Sequence, residues 1–243
     1  MTRTPPTAIV VCAAGSSTRL AASKRKPFLM LDKKPILIHT LGLFREFPQV
    51  IQRVLMLHPD DVEDASKAWG TQFAEMGVTD IVPGGTTRQE TVASALRRLS
   101  PEVELVAIHD AARPFTPISA IREALTVAAK YGAAVVAVPV TSTLKRERHG
   151  VIVETVDRSC LWQAQTPQVF SRKLVVKAYG AAQEDGFQGT DDAQLVEQLG
   201  ERVRLVQGDA ANIKITTEDD LVLARSFIEG RREKSCCEKY GPE

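Results

Sequence analysis

No apolar run in this 243-residue chain approaches the ~18–20 residues that a bilayer-spanning helix needs, so the sequence predicts no membrane anchor. The run AIVVCAA after Arg3 follows Pro5-Pro6 and covers only about seven residues, so it reads as a first core strand, not a signal peptide. Cysteine is scarce. The four present are Cys12, Cys160, Cys236 and Cys237; they form no C-x-x-C or Cys/His metal spacing. A disulfide framework makes little sense at this length, and a reducing cytoplasm is the expected location. The four histidines, His39, His58, His109 and His149, are scattered and contain no H-E-x-x-H. An excess of one charge is also missing. Lys and Arg total 31 against 30 Asp and Glu, and a net +1 argues against a general nucleic-acid binder. Any cationic function must be local.

What is present begins at Ala8–Pro27, AIVVCAAGSSTRLAASKRKP. A short apolar strand breaks at Gly15 into a hydroxyl-rich turn, followed by Arg19, Lys24, Arg25 and Lys26. A buried strand opening into such a turn gathers backbone N–H groups and cations at one place, which suits a polyphosphate. With a single glycine it is neither the G-x-G-x-x-G of a dinucleotide fold nor a G-K-[ST] P-loop. By itself it could also be a strand followed by a solvated basic loop.

Apolar runs recur at Ala8–Ala14, Val54–Leu57, Thr79–Val82, Val103–Ile108, Ala133–Val138 and Val203–Val206. Their near-continuous hydrophobicity predicts strands covered on both faces. Helical patterns lie between them at Ile36–Phe47, Asp60–Met76, Arg88–Leu99, Ile118–Lys130, Lys173–Glu184 and Asp191–Leu199. A last helix starts near Thr217, with Thr216 or Thr217 as N-cap. The alternation predicts one α/β domain over residues 1–230, an open, doubly wound sheet whose ligands bind outside the carboxyl ends of the strands. Pro139–Phe170 breaks the pattern with short extended pieces, and about thirty such residues are too many for a loose loop, so they predict a projecting β-arm. Residues 231–243, RREKSCCEKYGPE, lack apolar periodicity and predict a disordered tail.

Four further motifs fall where strands should end. In PGGTTRQET, Gly84-Gly85 permits close approach of a flat ligand, with Arg88 and Thr91 on the next helical turn; a plain capped β-to-α turn is the simpler reading. In IHDAARPF, Asp110 either caps a turn or faces a metal–phosphate complex, and Arg113 reads as a structural arginine paired with a carboxylate or loop carbonyl. The arm carries Thr143, Lys145, Arg146, Asp157, Arg158 and Thr166, which a solvated edge strand or a surface ion pair also explains. Gly189-Thr190-Asp191-Asp192 looks like a helix N-cap, and NIKIT places Lys214 near the end of a late strand.

Taken in order, AAGSSTR, KRKPFL, GGxxRxxTV, HDAARPF, TxKR, TVDR, LWQAQTPQVF, TDDA and NIKIT resemble the 2-C-methyl-D-erythritol 4-phosphate cytidylyltransferases, from about Ala8 to Gly230. The resemblance implies a Rossmann-like nucleotidyltransferase fold with a mostly parallel central sheet flanked by helices, a protruding β-arm and a homodimer. It also implies transfer of CMP from CTP to a polyol phosphate with Mg²⁺. Residue by residue, it makes Arg19 and Lys26 the cations that neutralise the triphosphate. Ala13, Ala14, Gly15, Gly85, Thr86, Arg88 and Thr91 become nucleotide-pocket residues, and Asp110 and Ala111 the ribose and metal side. Thr143 and Arg158 become arm residues reaching the partner's substrate, and Thr166, Thr190 and Lys214 complete the acceptor site, with Arg158 and Lys214 joining the catalytic cations. The family's frequent P-K-Q appears here as Arg25-Lys26-Pro27, a frequent serine is Thr91, and Thr86 stands where an acid often lies. A ribitol-phosphate cytidylyltransferase would share the N-terminal half, and a regulatory module that has lost catalysis is the reading from another class.

Overall fold

The computed structural model describes residues 4–15 and 25–239, with side chains described to Gly230. In chain order the strands are β1 (Thr7–Ala13), β2 (Met30–Leu31), β3 (Lys34–Pro35), β4 (Val50–Leu57), β5 (Asp80–Pro83), β6 (Leu105–Asp110), β7 (Ala133–Pro139), β8 (Leu144–Arg148), β9 (Val151–Val156), β10 (Trp162–Ser171) and β11 (Arg204–Gln207). The helices are α1 (Ile36–Gly42), α2 (Val62–Glu75), α3 (Arg88–Leu96), α4 (Ile118–Tyr131), α5 (Arg172–Glu184), α6 (Asp192–Gln198) and α7 (Glu218–Lys239).

Seven strands form the central sheet in the order β11-β7-β10-β6-β1-β4-β5. All its pairings are parallel except the two that β10 makes, antiparallel to β6 and β7. The reason the strands read as unbroken apolar runs is visible in β1. Ile9, Val11 and Ala13 enter the layer covered by α1, α2 and α4, whereas Ala8 and Val10 enter the layer covered by α3, α5 and α6. A smaller cluster of Leu31, Ile36, Phe115, Ile215 and Ala224 seats α7 beside the β2–β3 hairpin. Helix starts follow the capping chemistry in the sequence: Thr87, Ser171 and Asp191 accept backbone N–H bonds as N-caps. Before α7, Thr217 Oγ1 accepts from Asp220 N while the Asp220 carboxylate takes the backbone N–H groups of Thr216 and Thr217, a reciprocal cap. No helix among the described residues is long and apolar enough to cross a membrane.

Two expectations change. The extended region Pro139–Phe170 is not one arm. Only β8 and β9 leave the body, as a separate two-stranded sheet with Val151, Ile152 and Val153 exposed. Its last part is β10, inserted between β6 and β7, with Val169 and Phe170 fully buried. Polar residues and Pro167 in WQAQTPQVF disguise this core strand, because proline has no N–H to give a ladder. The pairing with β7 shifts register between Ala164 and Gln168, where that proline lies. The tail also differs: α7 keeps helical backbone to Lys239, past Gly230.

Candidate active site

The carboxyl ends of the parallel strands carry the site, and Asp110, the last residue of β6, is its centre. Lys214 Nζ lies 2.8 Å from Asp110 Oδ2, Arg113 Nε 3.6 Å from the same oxygen, and Arg88 Nε 3.8 Å from Oδ1. Burial alone would push this carboxyl up. Lys214, then Arg88, then Arg113 outweigh that effect and hold it at about 2, so it is an anion under all ordinary conditions.

Each cation is held from elsewhere in the chain. Arg88, in the first turn of α3, makes a two-pronged contact with Asp192 at 2.8 and 2.6 Å. Asp192 is fully buried and also accepts the Tyr179 hydroxyl at 2.5 Å. Burial opposes the charge on Arg88, but Asp192 more than offsets it, and the guanidinium pKa is raised. Arg113 donates to the Asn212 carbonyl at 2.7 Å, so its partners are a carboxylate and a loop carbonyl, as the sequence suggests. Lys214 sits on an extended segment after β11, not on a strand, fixed by Ile215 N donating to the Ala112 carbonyl at 2.9 Å.

Asn212 ties these pieces together. Its side chain is fully buried, accepts from Thr116 Oγ1 at 2.8 Å, and donates to Gln165 Oε1 at 3.0 Å and the Thr166 carbonyl at 3.1 Å. Thr166 lies inside the body rather than on an arm. Its Oγ1 accepts from Asp110 N at 3.1 Å. The Arg113 carbonyl can only accept, so it takes His109 Nε2–H; in the neutral ring Nδ1 is then the acceptor, and Thr166 Oγ1 donates to it at 3.1 Å. Burial pushes the His109 pKa down to about 4, so the ring is neutral and both nitrogens are engaged. It is not placed as a general base.

On the other side, Ala14 and the Gly84–Thr91 turn form a close-packed wall. A Cβ on Gly84 would lie 2.2 Å from Ala14 Cβ, so this backbone approach requires glycine. Gly85 N donates to Thr91 Oγ1 at 3.1 Å, and Thr86 donates through N and Oγ1 to Glu90 Oε2. The Ala111 N–H and carbonyl are taken by the Cys12 carbonyl and the Thr40 hydroxyl. Ala13 ends β1 and Gly15 is exposed just beyond it.

Thr143 and Arg158 flank the β8–β9 hairpin, just before β8 and just after β9. Thr143 is exposed before β8, and Arg158 is exposed and donates to the Thr141 carbonyl. Thr190 is an exposed residue bonded to Gln194, two positions before the Asp192 that anchors Arg88. Lys26 opens a short 3-10 turn, Lys26–Phe28. The preceding Arg25 pairs with Asp60 at 3.0 Å and Asp61 at 2.8 Å, pinning the entry to that turn. Arg19 and Lys24 lie outside the described residues. Sequence reasoning missed Asp192 and Asn212. The first looks like part of a local cap, and its partner Arg88 is 104 positions away.

Residues 7–230 match the description of one protein family. The chain belongs to the 2-C-methyl-D-erythritol 4-phosphate cytidylyltransferases. It is 41% identical over 220 residues to the enzyme of that name from Bacillus cereus, covering 90% of this chain and 96% of the relative. Among solved structures, 4-diphosphocytidyl-2C-methyl-D-erythritol synthase from Anaerococcus prevotii superposes with a TM-score of 0.81 at 28% identity, covering 93% of this chain and 96% of that one. The family member from Thermus thermophilus gives 0.77 at 33% identity, over 91% and 98%. The cytidylyltransferase family is thus shared across the whole body of the fold, with the Asp110 cluster inside the matched span.

A divalent ion at this site would be one carried in by the nucleotide's phosphates. Among the described residues no three metal-ligating side chains come together, and Asp110 is already held by Lys214. Asp110 is the carboxylate of this cluster that would meet such an ion, which would then be held mainly by phosphates and water.

Proposed function

We propose that this chain transfers CMP from CTP to 2-C-methyl-D-erythritol 4-phosphate, giving 4-diphosphocytidyl-2-C-methyl-D-erythritol and pyrophosphate. The observation that carries the reading is the convergence of Lys214, Arg88 and Arg113 on Asp110 at the carboxyl edge of the sheet. The acceptor phosphate has a second pKa of about 6 and is mostly dianionic at neutral pH. One of its oxygens forms the new bond to the α-phosphorus, the bond from that phosphorus to the β-phosphate oxygen breaks, and pyrophosphate leaves with the electron pair. No proton needs to be removed, which agrees with a neutral His109 whose nitrogens are occupied. The obstacle is repulsion between two anions, and positioned cations lower it. Arg19 and Lys26 are assigned to the triphosphate, and Lys214 and Arg158 to the acceptor. Asp110 keeps the Lys214 ammonium in place and is the residue that would meet Mg²⁺, which supplies further charge neutralisation on the phosphates.

Assembly as a homodimer through the β8–β9 hairpin, in the cytoplasm, belongs to the same proposal. Exposed Val151, Ile152 and Val153 on that hairpin favour a covered face, and pairing would carry Thr143 and Arg158 to the partner's acceptor site. The decisive assay is pyrophosphate release from CTP with a panel of polyol phosphates. Release with 2-C-methyl-D-erythritol 4-phosphate and little with ribitol 5-phosphate supports the assignment, and the reverse order refutes it.

A further inference from the structure

A second concavity lies at the opposite end of the sheet. Between α3 and α5, where β6 begins, there is a groove of about 920 Å³. β6 is six residues long, so at about 3.3 Å per residue the groove mouth beside Glu104 is about 20 Å from Asp110. Its apolar lining includes Leu96, Val103 and Val176, the last 45% exposed although it is aliphatic. Arg97, Arg172, Lys173 and Lys177 also line it, against the single acid Glu104. Four lining cations face Glu104 and, through Arg172, the neighbouring Glu102, a local excess in a chain whose overall balance is +1. Arg172 is held at the mouth by donating to the Pro101 carbonyl at 3.0 Å and the Leu99 carbonyl at 3.4 Å. The volume lies within the range of small-molecule sites.

We propose that this groove binds a soluble amphipathic anion, a short apolar chain ending in a phosphate. The chain would lie on Val176, the exposed aliphatic side chain of the groove, and replace water there, whereas Leu96 and Val103 are themselves buried in the wall. The phosphate would meet the four cations, with Arg97 and Arg172 offering planar forks and Lys173 and Lys177 point charges. A neutral ligand gains nothing from that rim, and inorganic phosphate gains nothing from the floor. Both parts are needed.

Calorimetric titration of the full chain with decyl phosphate, below its micelle-forming concentration, tests this. One-to-one binding is expected, with decanol and inorganic phosphate each weaker by about tenfold or more. Val176→Glu and the double variant Lys173→Glu/Lys177→Glu should each lose about tenfold or more in affinity. Both should keep wild-type CMP transfer and thermal midpoint, since these side chains lie on the surface of α5. Ile152→Glu on the hairpin should bind decyl phosphate as wild type does. Equal binding of decanol would reduce the groove to an apolar sink, and equal binding of inorganic phosphate would remove the role of the floor. Undiminished binding in both groove variants would overturn the proposal outright.

Discussion

Lys26 is the residue at which one charge should matter most. A preorganised cation at a developing charge is typically worth about 3–4 kcal/mol, so Lys26→Ala should keep its thermal midpoint and lose on the order of 10²–10³ in kcat. Lys24→Ala should change little. Reversed effects in the same pyrophosphate assay would assign the role to Lys24. His109 makes a different prediction, about pH. Its ordinary pKa of 6.5 is lowered to about 4 in the folded chain, first by burial, while the Arg113 carbonyl and Asp110 pull the other way. The unfolded chain therefore binds the proton first as the pH falls. The neutral ring's contribution to stability is complete above 6.5 and gone once the pH has passed below 4, a loss on the order of 3 kcal/mol. Asp110, held at about 2 against an ordinary 3.8, adds a second loss only below 3.8. Urea unfolding midpoints across this range should show both limbs, and His109→Gln should flatten the upper one alone.

At the scale of elements, the β5–α3 turn is set by contact distance. Gly84→Ala would place a methyl 2.2 Å from Ala14 Cβ and 3.0 Å from Thr91 Oγ1, so the turn must shift away from the end of β1. Overpacking of this kind costs about 1–3 kcal/mol, and weaker CTP binding should accompany it. Gly42→Ala, with nothing within 4 Å, should leave both stability and CTP binding near wild type. The elements legible in the sequence are those whose signal is local. Strands β1, β4, β6 and β7 read as apolar runs because helices cover both their faces, and the starts of α3, α5 and α7 follow from Thr87, Ser171 and Thr217. β10 was hidden because Gln163, Gln165, Thr166 and Gln168 look like surface residues. Gln165, Thr166 and Gln168 are buried, with partners in Asn212, His109 and Asp191. The site was legible as residue types, Asp110 and Lys214 above all. The bonds that orient them, from Asp192 to Arg88 and from Asn212 to Thr166, join distant segments that no local pattern links.

For the whole molecule, the proposed hairpin dimer predicts active sites built from two chains. Arg158→Ala and Lys26→Ala should each be impaired alone, and mixing them after subunit exchange should restore part of the activity. In a mixed dimer one site carries both lesions and the other neither. No recovery after verified exchange would place Arg158 in the service of its own subunit. The position of β10 has a consequence for how the chain is made. β1, β4, β5 and β6 can assemble once residues through Asp110 have left the ribosome, but the open edge of β6 waits for Gln168–Ser171 to arrive. β7, synthesised earlier, has no central-sheet neighbour until the same segment docks. The nascent chain thus passes through an interval with a half-built sheet and a bare, apolar β6 margin, which makes synthesis between residues 110 and 171 its most aggregation-prone period.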